Sequence, residues 1–271
     1  MLETEKGNAA AAEQKKGKLL RDCKSGCRVW QIEWQGVGMY VKEGEDVDEG
    51  EATITELARV STGLPIPQVY HIEKHGDETF MYLEAMPGER LALAYWKLPP
   101  SQQRALSKEI KHAVKRLHSV RAPPGSRVGG FGRKPLSAIF AELDVSPSLF
   151  SSSELNAFLR RVFTKKNPIK ADKYDQEIAP RLTPTSLVLV HGDFWSDNIL
   201  IEDGRLSAII DFERAGFYPE WVETVAVVRL LHDPSVQTFM LGEVLIGRKA
   251  VEREEWRWLW EAAYGWVKWP W

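Results

Sequence analysis

Two apolar runs, residues 198–201 and 206–210, stand on either side of Asp203-Gly204, a dipeptide that strongly favours a two-residue hairpin turn. This pairing constrains the fold more than any other segment, because it assigns a face to every side chain in both strands. Pairing Glu202 with Arg205 sets Asn198 opposite Ile209. Asp211 then falls two residues further on, facing the same side as the partner of Asn198, since strand side chains alternate. An amide oxygen and a carboxylate at one end of the hairpin can share a metal. Mg²⁺ suits them, because it prefers oxygen ligands, keeps several waters and completes its shell from phosphates. A third apolar run, residues 187–190, leads into His191-Gly192-Asp193, so Asp193 ends its own strand, where it would face a substrate hydroxyl. The alternative is an ordinary hairpin whose Asp and Asn are turn and cap residues.

The pattern His191-x-Asp193-x-x-x-x-Asn198 followed by Asp211 is that of the catalytic loop and metal-binding Asp of kinase-type phosphoryl transfer, with Gly192 where protein kinases usually carry arginine. Together with Ile210-Asp211-Phe212-Glu213 and Ala215-Gly216-Phe217-Tyr218-Pro219-Glu220-Trp221, it resembles the aminoglycoside phosphotransferase family. These are protein-kinase-like small-molecule kinases that include choline and fructosamine kinases, and the chain looks most like their fungal branch. Leu64-Pro65-Ile66-Pro67-Gln68-Val69-Tyr70 resembles the family's link from first helix to next strand, and Met86-Pro87-Gly88-Glu89-Arg90-Leu91 its inter-lobe segment. The likeness runs from about Gly26 to Trp221, and it is specific in the active-site block and looser in the first strands.

The resemblance implies an α+β, two-lobed kinase-like fold, with a small antiparallel N-terminal sheet plus helix and a larger, mainly helical C-lobe carrying the catalytic hairpin. It implies ATP and Mg²⁺ as cofactors and a hydroxyl of a small molecule as phosphoryl acceptor. Asp193 is the implied catalytic residue, orienting the acceptor hydroxyl and taking its proton, while Asn198 and Asp211 hold the metal. Lys42, ending the strand Met39-Tyr40-Val41, stands where the family places the lysine on the α- and β-phosphates, and Glu51 where it places that lysine's carboxylate partner. Glu49 and Glu56 compete with Glu51 on the same helix, and Lys42 also reads as a surface residue among Glu43, Glu45 and Asp46. The backbone C=O of Glu84 and N–H of Met86 are the implied adenine contacts. Ser25-Gly26 is the implied phosphate-covering turn, because no G-x-G-x-x-G occurs.

Two other function classes stay open on sequence grounds. A protein kinase is disfavoured, since there is no D-F-G, no A-P-E and no room for an activation segment between Asp211 and the Trp221 helix. A non-catalytic nucleotide-binding protein of the same fold gains its support from the missing glycine-rich loop. His191 reads as a brace for the catalytic loop, His118 as a packing or capping residue, and Asp197 as lying outside the metal shell.

With 271 residues, 44% of them hydrophobic, the chain can build one large domain or two lobes with a real core. A formal charge of −2 lacks the basic excess of a nucleic-acid binder. No apolar run reaches the length of a membrane span and the start is acidic at Glu3 and Glu5, so no membrane association and a cytoplasmic location are expected. Cys23 and Cys27 are too few for a disulfide framework and read as reduced thiols.

The expected divisions are a mobile N-terminal tail at residues 1–22, a nucleotide-binding N-lobe at 23–85 and a C-lobe at 86–271. Within them, residues 29–32, 39–42 and 80–83 read as strands, with Gly36-Val37-Gly38 as a turn, and residues 50–60 read as a helix. A second helix spans 101–119, with Ser101 as its N-cap. Helices are also expected at 221–231 and 236–245. The tryptophan-rich, acidic segment 252–271 is expected either to line the acceptor side of the cleft or to pack as core.

Overall fold

The computed structural model describes residues 17–22, 26–131, 151–166, 171–182 and 186–223. Five antiparallel strands form the N-terminal sheet: β1 (Lys18–Asp22), β2 (Cys27–Trp34), β3 (Val37–Gly44), β4 (Val69–His75) and β5 (Glu78–Glu84), in the order β1-β2-β3-β5-β4. The β2–β3 turn is made by Gln35 and Gly36, both at positive φ, a backbone that matches the twist of the flanking strands. Val37 and Gly38 therefore pair with Trp34 and Glu33 instead of turning as the sequence reading expects.

Helix α1 (Glu49–Thr62) is inserted between β3 and β4. Asp48 caps it by accepting the Glu51 N–H at 3.1 Å, and Gly63 closes it at φ 59°, donating its own N–H to the Arg59 carbonyl. Ala52 packs with Cys27, Val47 and Met81 under the sheet, while Ile54 and Ala58 join the main core. One helix thus ties the small lobe to the large one and carries Glu51 inward.

Past the sheet, β6 (Glu89–Arg90) pairs with β9 (Ile199–Glu202), which pairs with β10 (Arg205–Ile209). Gly88 lies so close to this hairpin that an added Cβ would stand 2.8 Å from the Ile201 carbonyl oxygen. Helix α2 (Leu91–Ala94) and a short 3₁₀ turn (Tyr95–Lys97) lead into α3 (Pro100–Ser119). Pro100 occupies the first turn of α3, where its missing N–H costs nothing, and no side chain caps that end, so Ser101 lies within the helix and is not its cap. Leu106, Ile110, Ala113, Val114 and Leu117 form its buried stripe at the helical period.

The remaining described elements are α4 (Ser152–Lys166), α5 (Ala171–Lys173) running through a π-helical turn (Tyr174–Ile178) into α6 (Ala179–Leu182), and a second three-stranded sheet. That sheet joins β7 (Gly129–Gly130), β8 (Val188–Val190) and β11 (Gly216–Tyr218) in the order β7-β11-β8. The main core gathers α3, β8, β9, Phe194 and Phe212, so the chain on both sides of residues 191–198 is anchored in it. Among the described residues no helix is long and apolar enough to cross a membrane.

The structure departs from the sequence expectation at two further places, β1 and the β9–β10 hairpin. Lys18–Asp22 is a strand at the edge of the sheet, inside the stretch assigned to the tail. All five of its residues are exposed, so it lacks the alternation that marks a half-buried strand. In the β9–β10 hairpin, Glu202 does pair with Arg205, but a bulge at Ser207 moves the ladder by one, so that Ile209 faces Ile199. Asn198 consequently lies against Ile210, whose N–H donates to the Asn198 carbonyl at 2.9 Å. Ser207 is held by the Pro87 carbonyl, which its hydroxyl reaches, and the neighbouring Leu206 N–H donates to Glu109. These partners come from elsewhere in the chain, and the hairpin's own residues do not reveal them.

Candidate active site

Strand alternation turns Lys42 away from Val41, to the face of the N-terminal sheet that α1 covers. Its ammonium lies 2.8 and 3.0 Å from the two oxygens of Glu51, 2.9 Å from Asp211 Oδ1 and 3.2 Å from Glu213 Oε2. Burial alone would push the lysine toward neutrality. Asp211, Glu51 and Glu213 outweigh it and hold Lys42 well above its ordinary pKa. Burial also governs Glu51, pushing it up to about 7 against the pull of Lys42. For Asp211 the balance falls the other way, since burial raises it but the field and hydrogen bond of Lys42 prevail and keep it ionised.

Asp211 reaches this position through its backbone. Its φ of 67° is left-handed, a conformation that Asp tolerates better than most residues, and it turns the chain out of β10 immediately after Ile210. The shared orientation of Asn198 and Asp211 thus arises from a bulge followed by a left-handed residue, instead of from the simple alternation inferred from sequence. Both border one cavity of about 330 Å³, together with Lys42, Glu51, Glu84 and Met86. That volume is in the range of small-molecule sites.

Asp193 lies beside the cavity and is joined to it through Asn198, whose Nδ2 donates to the Asp193 carbonyl at 3.0 Å and to its Oδ2 at 3.2 Å. With its amide nitrogen occupied in this way, Asn198 keeps its Oδ1 available to a metal. A buried amide oxygen and an ionised carboxylate are donors that fit Mg²⁺. Among the described residues no three His, Cys, Asp or Glu side chains gather into a metal site, so such an ion would depend on phosphate and water for the rest of its shell.

His191 is fully buried and bonded at both nitrogens. Nε2 lies 3.0 Å from the Ile210 carbonyl, and Nδ1 accepts the Asp193 N–H at 3.3 Å. Only the neutral ring with its proton on Nε2 satisfies both contacts, and burial lowers its pKa to about 4. The imidazole braces Asp193 against the peptide preceding Asp211, the role expected from sequence. His118 is half-buried, with Nδ1 3.4 Å from Glu220, in keeping with a packing residue. Asp197 borders the cavity and faces Arg90 at 3.8 Å.

Gly26, at φ 82°, opens β2 beside the cavity wall residue Cys27, while Ser25 and the tryptophan-rich segment 252–271 lie outside the described residues. The same is true of residues 224–231 and 236–245, although the helix expected from Trp221 is present as far as Glu223. Glu84 and Met86 border the cavity at the exit from β5. Glu84 is fixed by two bonds with Gln68: its N–H donates to the Gln68 carbonyl at 2.9 Å, and its Oε2 accepts the Gln68 N–H at 3.1 Å.

Two contributors escape the sequence reading. Glu213 supplies the third carboxylate on Lys42. Glu223, buried, accepts the N–H groups of His191 at 2.7 Å and Gly192 at 3.2 Å, and burial pushes its pKa up to about 7. Gly192 adopts a φ of 77°, which presents two successive N–H groups to one carboxylate. The signal for Glu223 was faint, a single carboxylate flanked by Val222 and the apolar residues after Thr224.

A strand-borne lysine paired with a helix glutamate, facing an Asp/Asn loop across a cleft between a sheet lobe and a helical lobe, defines a kinase-like phosphotransferase. The model of the phosphotransferase enzyme family (APH) matches residues 42–264, and the chain belongs to that family. An aminoglycoside 3′-phosphotransferase of Salmonella typhimurium is 21% identical over 205 residues, covering 73% of this chain and 71% of the relative. Among solved structures, aminoglycoside phosphotransferase APH(4)-Ia superposes with a TM-score of 0.63 at 16% identity, covering 91% of this chain and 83% of its own. The gentamicin complex of APH(2″)-IIa gives 0.56 at 17% identity, covering 96% and 84%. At these identities the structural likeness is one of fold.

Proposed function

We propose that this protein transfers the γ-phosphate of ATP to a hydroxyl of a small molecule of the aminoglycoside, amino-sugar or choline class. The observation that carries the reading is the convergence on Lys42 of Glu51, Asp211 and Glu213, in the cleft that Asn198 and Asp211 border together. In this reading Asp193 orients the acceptor hydroxyl and takes its proton, held in place by Asn198, His191 and the Glu223-bound loop. Lys42, steadied by Glu51, binds the α- and β-phosphates. Asn198 and Asp211 would hold Mg²⁺, which supplies neutralisation of phosphate charge. Glu84 and Met86 offer backbone contacts to adenine, and Gly26 with Ser25 covers the phosphates.

The ternary complex of a thermostable mutant of APH(4)-Ia with AMP-PNP and hygromycin B supports both a nucleotide and a small-molecule acceptor. The segment Ala215 to Trp221 supports placing the chain in the fungal branch of the family. The test is a metabolite and aminoglycoside library incubated with the protein and Mg·ATP, read by mass spectrometry for gain of one phosphoryl group. Folded protein that binds Mg·ATP yet phosphorylates nothing in the library would favour a non-catalytic nucleotide-binding protein.

A further inference from the structure

The first strand carries a cation that none of these roles employs. Arg21 lies in β1, one residue before the end of the strand, and borders the same cavity as Lys42, Asn198 and Asp211. The ladder explains its position. Arg21 pairs with Val29 of β2, Val29 with Lys42 of β3, and Lys42 with Met81 of β5. Directly paired residues on adjacent strands project to the same face, so these four side chains form one row across the sheet. All four border the cavity. With strands spaced about 4.8 Å apart, the Arg21 and Lys42 backbones stand roughly 10 Å from each other, a separation that two long cationic side chains can close over one polyanion.

A bulge puts Arg21 in this row. Leu19 pairs with Trp30 and Arg21 with Val29, leaving Leu20 as the extra residue. In an unbroken ladder Leu20 would pair with Val29, and Arg21 would pair with Arg28 on the far face. Bulges beside functional sites often re-aim a side chain in this manner.

The cleft needs such a cation. Glu51, Glu84, Asp197, Asp211 and Glu213 border the cavity, against Lys42, Arg21 and Arg90. Lys42 is engaged by three of those carboxylates, and Arg90 faces Asp197. Among the described residues, the Arg21 guanidinium has no hydrogen-bond or ion-pair partner. Its field nevertheless reaches the site: burial opposes the charge on Asp211, while Lys42 and, more weakly, Arg21 sustain it.

We propose that Arg21 binds a phosphate of the nucleotide's triphosphate chain, supplying from a side chain part of what a glycine-rich loop supplies from its backbone. The inference rests on the nucleotide-dependent reading above. A guanidinium suits the task because its planar fork can donate two hydrogen bonds to one phosphate.

The experiment titrates the full-length protein and its Arg21→Gln and Arg21→Lys variants with Mg·AMP-PNP and with adenosine, which has no phosphate, at two salt concentrations. Arg21→Gln should bind Mg·AMP-PNP about tenfold more weakly, with a shallower salt dependence, while adenosine affinity stays at the wild-type value. Arg21→Lys should recover part of the loss. Equal affinity of wild type and Arg21→Gln for Mg·AMP-PNP would overturn the assignment, as would an equal loss for adenosine, which would mark an effect on the shape of the cleft. Failure of folded wild-type protein to bind Mg·AMP-PNP would instead overturn the nucleotide reading itself.

Discussion

Lys42 Nζ and Asp211 Oδ1 meet at 2.9 Å across 169 residues of sequence, joining the N-terminal sheet to the end of the catalytic hairpin. The same ammonium holds Glu51 and Glu213, so one lysine compensates three carboxylates whose side chains are at most 21% exposed. Its removal should affect both folding and turnover.

In Lys42→Met the three carboxylates lose their common cation. Stability should fall by about 3 kcal/mol at neutral pH, the usual scale for breaking a buried ion pair from one side. Turnover should fall roughly 100-fold or more. Thermal denaturation and a coupled ADP-release assay measure the two, and unchanged melting would show that the cluster is not held by this lysine.

Asp193→Asn preserves the shape of the loop, because an Asn oxygen at that position can still accept the Asn198 amide that Asp193 Oδ2 accepts now. It removes the proposed proton acceptor. Phosphoryl transfer should drop by roughly 100- to 10,000-fold while Mg·ATP affinity remains near wild type. Wild-type turnover in this variant would remove Asp193 from the catalytic role.

Asp211→Asn keeps a residue tolerant of the left-handed backbone at φ 67° but discards the charge. Mg·ATP affinity should weaken on the order of tenfold, about 1.4 kcal/mol, and the Mg²⁺ concentration needed for binding should rise. Asn198→Ala should act in the same direction more mildly. Wild-type Mg²⁺ dependence in both variants would contradict a shared metal.

Glu223 is tested by comparing two replacements. Glu223→Ala strands the buried N–H groups of His191 and Gly192, each costing about 1–3 kcal/mol, whereas Glu223→Gln keeps one acceptor and should recover part of the stability. If Glu223 positions the loop, kcat should follow the same order while KM for ATP stays constant. Equal melting temperatures for the two variants would refute the loop-holding role.

The buried His191 sets a pH dependence. Its folded pKa, about 4, lies below the ordinary 6.5, so between these values the unfolded chain binds a proton that the folded chain refuses. The stability it contributes is complete above pH 6.5 and is lost as pH falls toward 4, a change of about 3 kcal/mol. Imidazole NMR should show a neutral ring with its proton on Nε2 at pH 6. A doubly protonated ring at that pH would be inconsistent with the bonds to Ile210 and Asp193.

Local chemistry made much of this molecule legible. Asp203-Gly204 turns as its dipeptide preference dictates, α1 and α3 bury the stripes their periodicity marks, and Lys42 and Glu51 meet where strand and helix adjoin. The errors have a common cause. Lys18–Asp22 is stabilised by hydrogen bonds to β2 with no buried face of its own, so no hydrophobic pattern records it. The Ser207 bulge is held by Pro87 and Glu109, and Glu223 finds the catalytic loop from beyond it. Each of these depends on a partner distant in the chain.

The sequence by itself determined the chemical inventory and its local spacing: a carboxylate, an amide and a second carboxylate on a hairpin, and a lysine with a glutamate nearby. Only the tertiary structure decided which way these groups face. Register and backbone twist are properties of a strand together with its neighbours, and a one-residue bulge transfers a side chain from one face of a sheet to the other. That is how Asp211 comes to lie against Lys42, and how Arg21, rather than Leu20, comes to pair with Val29.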